Sequence, residues 1–319
     1  MFGLRISFAS VALGVAVFLG PAARAWGPEG HTVVGRVAVL HLTPAAKADF
    51  DWIVAVGVPA LNASMPDGKC QIDPKDPLGP VPDYRVDGDR HTNLANWADC
   101  YRAVVPGTPP HFDDIPLGDT PTGPLNAAQQ PWCSGGCVST AFADNLRTLA
   151  QPGLAPADAA RALAYVVHFV GDMHQPLHTE DNGDRGGNDV HIDAAGTGVE
   201  ETKLHALWDT SLVEVALGKD LNAATATVKA DVAAGPETTG NVDEVIAAAD
   251  AWIETAHSDA QAAYGLLMIP VGAGPRQGVH VGEGYLKRES RVARRELDVA
   301  SLHLAGALNA ALTWTPSQH

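Results

Sequence analysis

Apolar side chains recur every three or four positions along most of the chain, which is the spacing that one face of an α-helix requires. This pattern predicts helices at about residues 32–42, 44–56, 90–102, 138–151, 156–174, 199–216, 219–233, 241–264 and 286–313. The pattern breaks at residues 62–90, 105–131 and 265–284, where we expect loops. Residues 189–193 alternate in the manner of a short strand. The sequence therefore predicts a mainly α fold.

The first 25 residues follow a different pattern. Arg5 precedes an apolar run over residues 6–19, and Ala23-Arg24-Ala25 offers a small-x-small cleavage site. These features predict a signal peptide at residues 1–25 and export to a secreted or periplasmic location, with Trp26 as the new terminus. Neither this run nor any later segment is long and apolar enough to predict insertion in a membrane. No linker divides residues 26–319, which we expect to form one domain and a monomer.

The charge of the chain limits how it can attract a ligand. Its formal net charge is −16, and its isoelectric point is near 5.1. Proteins that bind nucleic acids are usually basic, so this chain should attract polyanions poorly from a distance. Any affinity for a polyanion must come from a few local groups, which leaves room for a small anionic substrate.

The four cysteines fit an oxidising compartment. Cys133 and Cys137 can close a small loop just before a helix, which leaves Cys70 to pair with Cys100. Three connectivities are formally open to four cysteines. A zinc site built from thiolates is the alternative to disulfides, but exported thiols more often oxidise.

Two His/Asp pairs share a spacing of four residues. They are His168/Asp172 and His205/Asp209. On a helix, residues four apart project from one face, and a buried imidazole and carboxylate must be paired with each other or hold a metal. After the first pair, Pro176 ends the helix and turns the chain so that His178 can point back. Imidazole and carboxylate are ligands that zinc accepts, so the repetition predicts a zinc site.

Six motifs, in this order, resemble those of the type I nucleases, the zinc-dependent single-strand nucleases and 3′-nucleotidases of the S1/P1 family. The motifs are Trp26-Gly-x-x-Gly-His31, Asn96-Trp-Ala-Asp99-x-Tyr101-Arg102, His111-Phe112-x-Asp114, His168-Phe-x-Gly-Asp172-x-x-Gln-Pro-Leu-His178, Gly186-Gly-Asn188 and His205-x-x-Trp-Asp209. Each motif alone is weak, but the set is specific. The resemblance implies a helical fold with three zinc ions at the bottom of a cleft.

The resemblance also implies which residues hold each zinc. The first zinc would be bound by Asp99, His111, His168 and Asp172. The second would be bound by the α-amino nitrogen and carbonyl oxygen of Trp26, by His31 and by Asp172 as a bridge. The third would be bound by His178, His205 and Asp209. The other eight histidines would lie at the surface or behind the ligands. They are His41, His91, His174, His191, His257, His280, His303 and His319. Of these, His174 is the first candidate for an exception, because it lies inside the central motif.

The same resemblance implies the chemistry. A hydroxide held between two zincs would attack phosphorus, with Asp99 and Asp172 among the catalytic residues. Arg102 would contact the phosphate, and so would Asn188, although one residue more than expected separates it from His178. Phe112 would stack on a base and Asp114 would accept a hydrogen bond from it. The expected substrates are single-stranded DNA and RNA, cut to 5′-nucleotides, and 3′-nucleotides.

Two other functions remain open at this point. Zinc phospholipases C resemble this family in fold, in a three-zinc cluster and in an N-terminal Trp. The motifs around Arg102 and Phe112 favour the nuclease. A non-enzymatic zinc-binding protein would explain the His/Asp pairs but not the presence of Arg102 and Phe112 beside them.

Overall fold

The computed structural model describes residues 26–81, 88, 90–120, 130–232 and 240–314. The predicted signal peptide and His319 lie outside this range. The helices are α1 (Pro28–Leu40), α2 (Pro44–Trp52), α3 (Val58–Ser64), α4 (Trp97–Val104), α5 (Val138–Leu149), α6 (Pro156–Met173), α7 (Leu204–Ala206), α8 (Leu212–Leu217), α9 (Leu221–Val232), α10 (Val242–Leu266) and α11 (Glu283–Ala311). Strands β1 (Gln71–Ile72) and β2 (His91–Thr92) form one two-stranded parallel sheet, and β3 (Val190–Asp193) and β4 (Arg276–His280) form another. The prediction of a mainly α fold is confirmed.

Helix α6 lies at the centre of the fold. It packs against α1, α3, α4, α5 and α11. Pro156 occupies the first turn of α6, where the backbone N–H that proline lacks would have no partner within the helix. Asp158, in the same turn, stabilises the helix because its negative charge lies near the positive end of the helix dipole. From Ala159 to Met173 every side chain except that of Arg161 is buried. Because alanines contribute much of this surface, neighbouring helices can approach closely. Any ionisable group on the C-terminal half of α6 is therefore held inside the core.

Several helix and loop boundaries differ from the prediction, because the backbone there forms hydrogen bonds with other segments. The helix predicted from residue 199 begins only at Leu204, since the backbone before it pairs with β3: Ile192 N–H donates to Thr202 C=O at 3.0 Å. The loop predicted at 265–284 contains β4, the partner of β3. The helix predicted over 90–102 begins as β2 and turns at Asn93, whose side chain accepts from Asn96 N–H.

Two segments wind more loosely than an α-helix. Ile53–Gly57 joins α2 to α3, and Leu207–Ser211 joins α7 to α8, both as π-helical turns. The first carries helix up to Ser64, past the predicted end at residue 56. The second contains Asp209. Single π-turns of this kind often occur at functional sites.

Two disulfides join Cys70 to Cys100 and Cys133 to Cys137. This is the pairing that the spacing favoured, and it leaves no thiolate for a metal among the four cysteines. The first disulfide fastens β1 to α4, which carries Asp99. The second closes the turn before α5, whose first N–H, from Val138, donates to Phe112 C=O at 3.1 Å. Among the described residues, no helix has the length and apolar character needed to cross a membrane.

Candidate metal centre and substrate cavity

The first cluster of candidate ligands gathers around the end of α6. His168 and Asp172 lie one turn apart on that helix, and α4 and the following loop bring Asp99 and His111 against them. His168 Nε2 lies 3.0 Å from His111 Nδ1 and 3.4 Å from Asp172 Oδ2. His111 Nδ1 lies 3.1 Å from Asp172 Oδ2 and 3.5 Å from Asp99 Oδ1. Zinc–nitrogen bonds of 2.0–2.1 Å in a tetrahedron place ligand atoms about 3.3 Å apart, so these four residues match a zinc site.

Backbone hydrogen bonds fix which nitrogen of the imidazoles faces inward. His168 Nδ1 lies 2.7 Å from Ala95 C=O, His178 Nδ1 lies 2.6 Å from His111 C=O, and His205 Nδ1 lies 2.5 Å from Gly186 C=O. A carbonyl only accepts, so each Nδ1 carries the proton and each Nε2 presents a lone pair to the cluster. This arrangement is the one that orients a histidine for a metal.

His31 faces the other oxygen of Asp172. Its Nε2 lies 3.4 Å from Asp172 Oδ1, and its ring stacks on that of His168 at 4.0 Å between centroids. The stack needs a glycine at position 171, because a Cβ there would come within 2.5 Å of His31 Nδ1. Asp172 therefore lies between His31 and the first cluster, where a bridging ligand would be expected.

The N-terminal segment folds back onto the turn that carries Asp209. Gly27 N–H donates to Asp209 C=O at 2.6 Å, and the side chain of Trp26 is fully buried. Gly30 permits this return, since a Cβ at that position would lie 2.8 Å from Trp26 Cβ. Trp26 is thus held beside the centre.

The second His/Asp pair meets His178 on the far side of the centre. His178 Nε2 lies 3.1 Å from His205 Nε2, and His205 Nε2 lies 3.5 Å from Asp209 Oδ2. Gln175 braces this group: its amide donates to Asp209 Oδ1 at 2.7 Å, and its Oε1 accepts from Leu177 N–H at 2.5 Å. Two inward lone pairs only 3.1 Å apart repel each other unless a cation lies between them.

Burial disfavours the charged forms of the ionisable groups in this centre. Desolvation raises the pKa of Asp172 to about 8 and lowers the pKa of His31 to about 4. Burial also lowers the pKa of His111 and His178 well below the usual value. Within the described residues, both ring nitrogens of His31 and both carboxylate oxygens of Asp172 have no hydrogen-bond partner. Buried polar atoms left in this way, surrounded by imidazoles, fit a set of metal ligands.

A cavity of about 350 Å³ opens over this centre. Its wall consists of Arg102, Ala103, Phe112, Asp114, Leu177, His178, Asp181, Arg185, Gly186, Asn188 and His205. All four predicted substrate-binding residues therefore share one cavity with two predicted ligands of the third zinc. The sequence-based reasoning missed Asp181 and Arg185, which lie in a Gly/Asp-rich segment that looked like an ordinary loop.

The walls of the cavity differ in chemistry. Arg102 Nη2 donates to Asp99 Oδ1 at 3.0 Å, so a candidate ligand also holds the guanidinium. Phe112 is 40% exposed, so its ring is not part of the core. Burial, reinforced by Asp181, raises the pKa of Asp114 to about 6. Asn188 donates its amide to Arg185 C=O at 2.8 Å, a local bond that its motif did not predict.

Three of the remaining histidines lie inside the fold, away from the candidate ligands. His174 is buried, and its Nε2 lies 2.8 Å from His303 Nδ1, next to Trp252. His257 is also buried, and its Nδ1 donates to Thr179 C=O at 2.8 Å. The surface alternative is therefore wrong for His174 and His257, His303 is partly buried, and none of the three belongs to a described cluster of candidate ligands.

Known sequences resemble the chain over most of its length. The family model described as S1/P1 Nuclease matches residues 26–313. Nuclease PA3 of Penicillium sp is 29% identical over 268 residues, which are 79% of this chain and 85% of that protein. Nuclease P1 of Penicillium citrinum is 28% identical with the same coverage, and Nuclease S1 of Aspergillus oryzae is 37% identical over 130 residues, 40% of this chain and 43% of that protein. Together with the clusters of candidate metal ligands, this match shows that the chain belongs to the zinc-dependent S1/P1 nuclease family.

Proposed function

We propose that the protein is an exported phosphodiesterase with three zinc ions, which cuts single-stranded DNA and RNA to 5′-nucleotides and removes the phosphate of 3′-nucleotides. The observation that carries this proposal is the shared cavity. One space of about 350 Å³ is bordered by an exposed aromatic ring, a carboxylate, a guanidinium and two inward-facing imidazoles of the metal centre. One bound nucleotide could therefore place its base against the ring and its phosphate beside the guanidinium and the imidazoles that would hold metal.

The ligand sets of the three zincs follow the three groups of side chains. Asp99, His111, His168 and Asp172 would hold the first, Trp26, His31 and Asp172 the second, and His178, His205 and Asp209 the third. Zinc in such sites acts as a Lewis acid on phosphoryl oxygen and lowers the pKa of water. The protein contributes fixed tautomers through Ala95, His111 and Gly186 C=O groups. Trp26 can offer its α-amino group as a ligand only if the chain is cleaved directly before it, so this ligand set requires removal of the proposed signal peptide.

Arg102 would bind the phosphate beside the metals. Its contact with Asp99 keeps the guanidinium at the edge of the first ligand group, and the side chain is only 22% exposed. A planar fork of N–H donors matches two phosphate oxygens at once. Local attraction of this kind suits a chain whose overall charge of −16 repels polyanions.

Phe112 and Asp114 would bind the base. A half-exposed ring can stack on any base, worth roughly 1–3 kcal/mol per base, and a carboxylate accepts from an exocyclic amine. The base must leave a duplex before it can enter a cavity of this size. Selectivity for single strands would therefore follow from the shape of the site.

An assay of three substrates tests the proposal. Single-stranded DNA, 3′-AMP and phosphatidylcholine are given to zinc-loaded protein, and zinc content is measured by mass spectrometry. We expect hydrolysis of the first two. The Phe112→Ala variant should raise KM for DNA about tenfold or more with a smaller change in kcat, because stacking is mostly uniform binding. The control is Leu40→Ala, an exposed apolar residue outside the cavity. Hydrolysis of the phospholipid alone, or zinc binding without hydrolysis, would overturn the proposal.

A further inference from the structure

The segment from Asp181 to Asn188 forms one wall of the cavity and is tightly fixed to the base-binding side. Asp181 Oδ1 accepts the N–H groups of Gly183, Asp184 and Arg185 at 2.9–3.0 Å. The backbone of Asp181 pairs with the chain just after Asp114: its N–H donates to Ile115 C=O at 2.8 Å, and its C=O accepts from Leu117 N–H at 3.2 Å. The wall thus has a defined position relative to Phe112 and Asp114.

The other end of the segment is fixed to the metal centre. The buried carboxylate of Asp184 accepts from Gly187 N–H at 2.8 Å and from the hydroxyl of Tyr264 at 3.0 Å. Gly186 C=O accepts from His205 Nδ1 at 2.5 Å. Between these two attachments lies Arg185, so its backbone is held at a set distance from both the base side and the metal side.

Arg185 has a backbone conformation that glycine would adopt more easily. Its φ is +60°, in the left-handed region, and Gly186 and Gly187 follow with φ of +60° and +76°. A side chain with a Cβ is disfavoured there, and such positions cluster at functional sites. The geometry of the turn gives no reason for an arginine at this position.

The guanidinium of Arg185 makes few contacts that would stabilise the fold. Its side chain is 76% exposed, and its Nη1 lies 3.4 Å from Asp189 Oδ1, at the surface. Exposed pairs of this length contribute little stability and exchange readily. Yet Arg185 borders the same cavity as Arg102, which is held against the metal centre. One cavity is therefore bordered by two guanidinium groups, one held against a candidate metal ligand and one largely exposed.

We propose that Arg185 binds a second phosphate, that of the nucleotide adjoining the one held at the metal centre, and so makes the enzyme favour polynucleotides over 3′-mononucleotides. This inference rests on the proposed nuclease function. The phosphate at the reaction centre is served by Arg102 and the metals, and a cavity of this volume encloses about one small ligand. A cation on the wall of the cavity would lie where a bound polynucleotide leaves the cavity. A 3′-mononucleotide has no phosphate at that place.

The test compares Arg185→Gly with Arg185→Lys and with Arg147→Ala. Glycine removes the guanidinium while suiting the left-handed backbone, so the variant should fold with no loss of melting temperature. Lysine retains the charge but not the fork of donors. Arg147 is the matched control, since it is 51% exposed and pairs with Asp243 at 3.5 Å, outside the cavity.

Kinetics on a single-stranded oligonucleotide and on 3′-AMP measure the effect. For Arg185→Gly we expect KM on the oligonucleotide to rise about tenfold, with a change on 3′-AMP at least five times smaller. Arg185→Lys should fall between this variant and the wild type. In fluorescence anisotropy with a labelled phosphorothioate oligonucleotide, the slope of log Kd against log salt should decrease by about 0.7, the value for one phosphate contact on a single strand.

The outcomes separate this inference from the function on which it rests. Equal losses on both substrates would show that Arg185 serves the reacting phosphate or the fold, and an unchanged KM with an unchanged salt slope would show a solvated arginine. Either result overturns the inference while the wild type remains an active nuclease. A wild type that hydrolyses neither nucleic acid nor 3′-AMP would overturn the proposed function and this inference together.

Discussion

His168/Asp172 and His205/Asp209 have the same spacing and nearly the same geometry, but they are held in different ways. The nearest nitrogen–oxygen distances are 3.4 Å and 3.5 Å. The first pair lies on the 18-residue helix α6, with both side chains fully buried. The second is carried by the three residues of α7 and the π-helical turn after it, beside the substrate cavity. The same sequence pattern thus produces one pair inside the core and one pair at its border.

The two carboxylates also differ in their partners. Asp209 accepts from the amide of Gln175 at 2.7 Å, whereas neither oxygen of Asp172 has a hydrogen-bond partner among the described residues. Burial raises the pKa of both carboxyl groups above the usual value. In the proposed centre Asp172 would therefore rely on the cations and on the imidazoles around it, whereas Asp209 also accepts a hydrogen bond from Gln175. This difference leads to four predictions of decreasing size.

Asp172→Asn should have the largest effect. An amide cannot bridge two cations as a carboxylate does, so the variant should lose more than one zinc equivalent. Hydrolysis of single-stranded DNA should fall by about 10³-fold or more, which corresponds to several kcal/mol of lost transition-state stabilisation. Zinc content and kcat/KM are the measurements. Asp158→Asn, on the exposed first turn of the same helix, is the control. Near-normal turnover would remove Asp172 from the centre.

Much of this centre could be predicted from the sequence because its signals are local. The spacing of His168 and Asp172 on a helix, and the turn at Pro176, follow from backbone geometry alone. The ends of α6 and α10 lie within two residues of prediction. The ligand sets from Asp99 to Asp209 came from the order of motifs, and their roles remain proposals.

The missed features depend on contacts between distant parts of the chain. Strand β4 pairs with β3 across more than 80 residues, and residues 199–203 are drawn out of a predicted helix by the same sheet. The role of Arg185 is visible only once the cavity exists. The sequence motif contains Gly171 but does not explain why glycine is needed there. The structure explains it, because the ring of His31, from another helix, occupies the space that a Cβ would need. The periodicity of apolar residues within one segment carries no information about contacts with other segments.

Asp209→Asn should have the second largest effect and a more limited one. The amide oxygen can still accept from Gln175, so the turn should keep its shape. We expect the loss of one zinc equivalent and a fall in kcat/KM of roughly 10²-fold, because one cation is lost rather than a bridge. The melting temperature should fall less than in Asp172→Asn. A larger loss of zinc than in Asp172→Asn would reverse the contrast between the two pairs.

Gly171→Ala should have the third largest effect, and it acts on the buried pair alone. The added methyl group would lie 2.5 Å from His31 Nδ1 and would displace the ring from Asp172. Displacing one ligand while its side chain remains should lower metal affinity about 10–100-fold, the range seen when ligands lose their support. Zinc titration measures the change. Gly265→Ala is the control, since a Cβ there, in helix α10, meets nothing within 4 Å and should not destabilise the protein.

The smallest effect is the dependence of the stability of the metal-free protein on pH. Burial, offset in part by His168, raises the pKa of Asp172 to about 8 from an unfolded value of 3.8. The folded form therefore retains a proton that the unfolded form has released, and stability declines as pH rises towards 8. Below pH 6.5 this decline is opposed, because burial lowers the pKa of His31 and of His205 to about 4 and the unfolded imidazoles take up protons first.

The decline should thus be visible between pH 6.5 and pH 8. At about 1.36 kcal/mol per pH unit, Asp172 contributes on the order of 2 kcal/mol over that range. We expect the melting temperature of chelator-treated protein to fall across it, and the fall to shrink in Asp172→Asn but not in Asp158→Asn. Zinc should abolish the fall, since a bound cation keeps the carboxylate ionised in the folded state. A metal-free protein whose melting temperature rises from pH 6.5 to pH 8 would show that Asp172 is already ionised and stabilised by the protein itself. In that case the two pairs would differ in position but not in their dependence on metal.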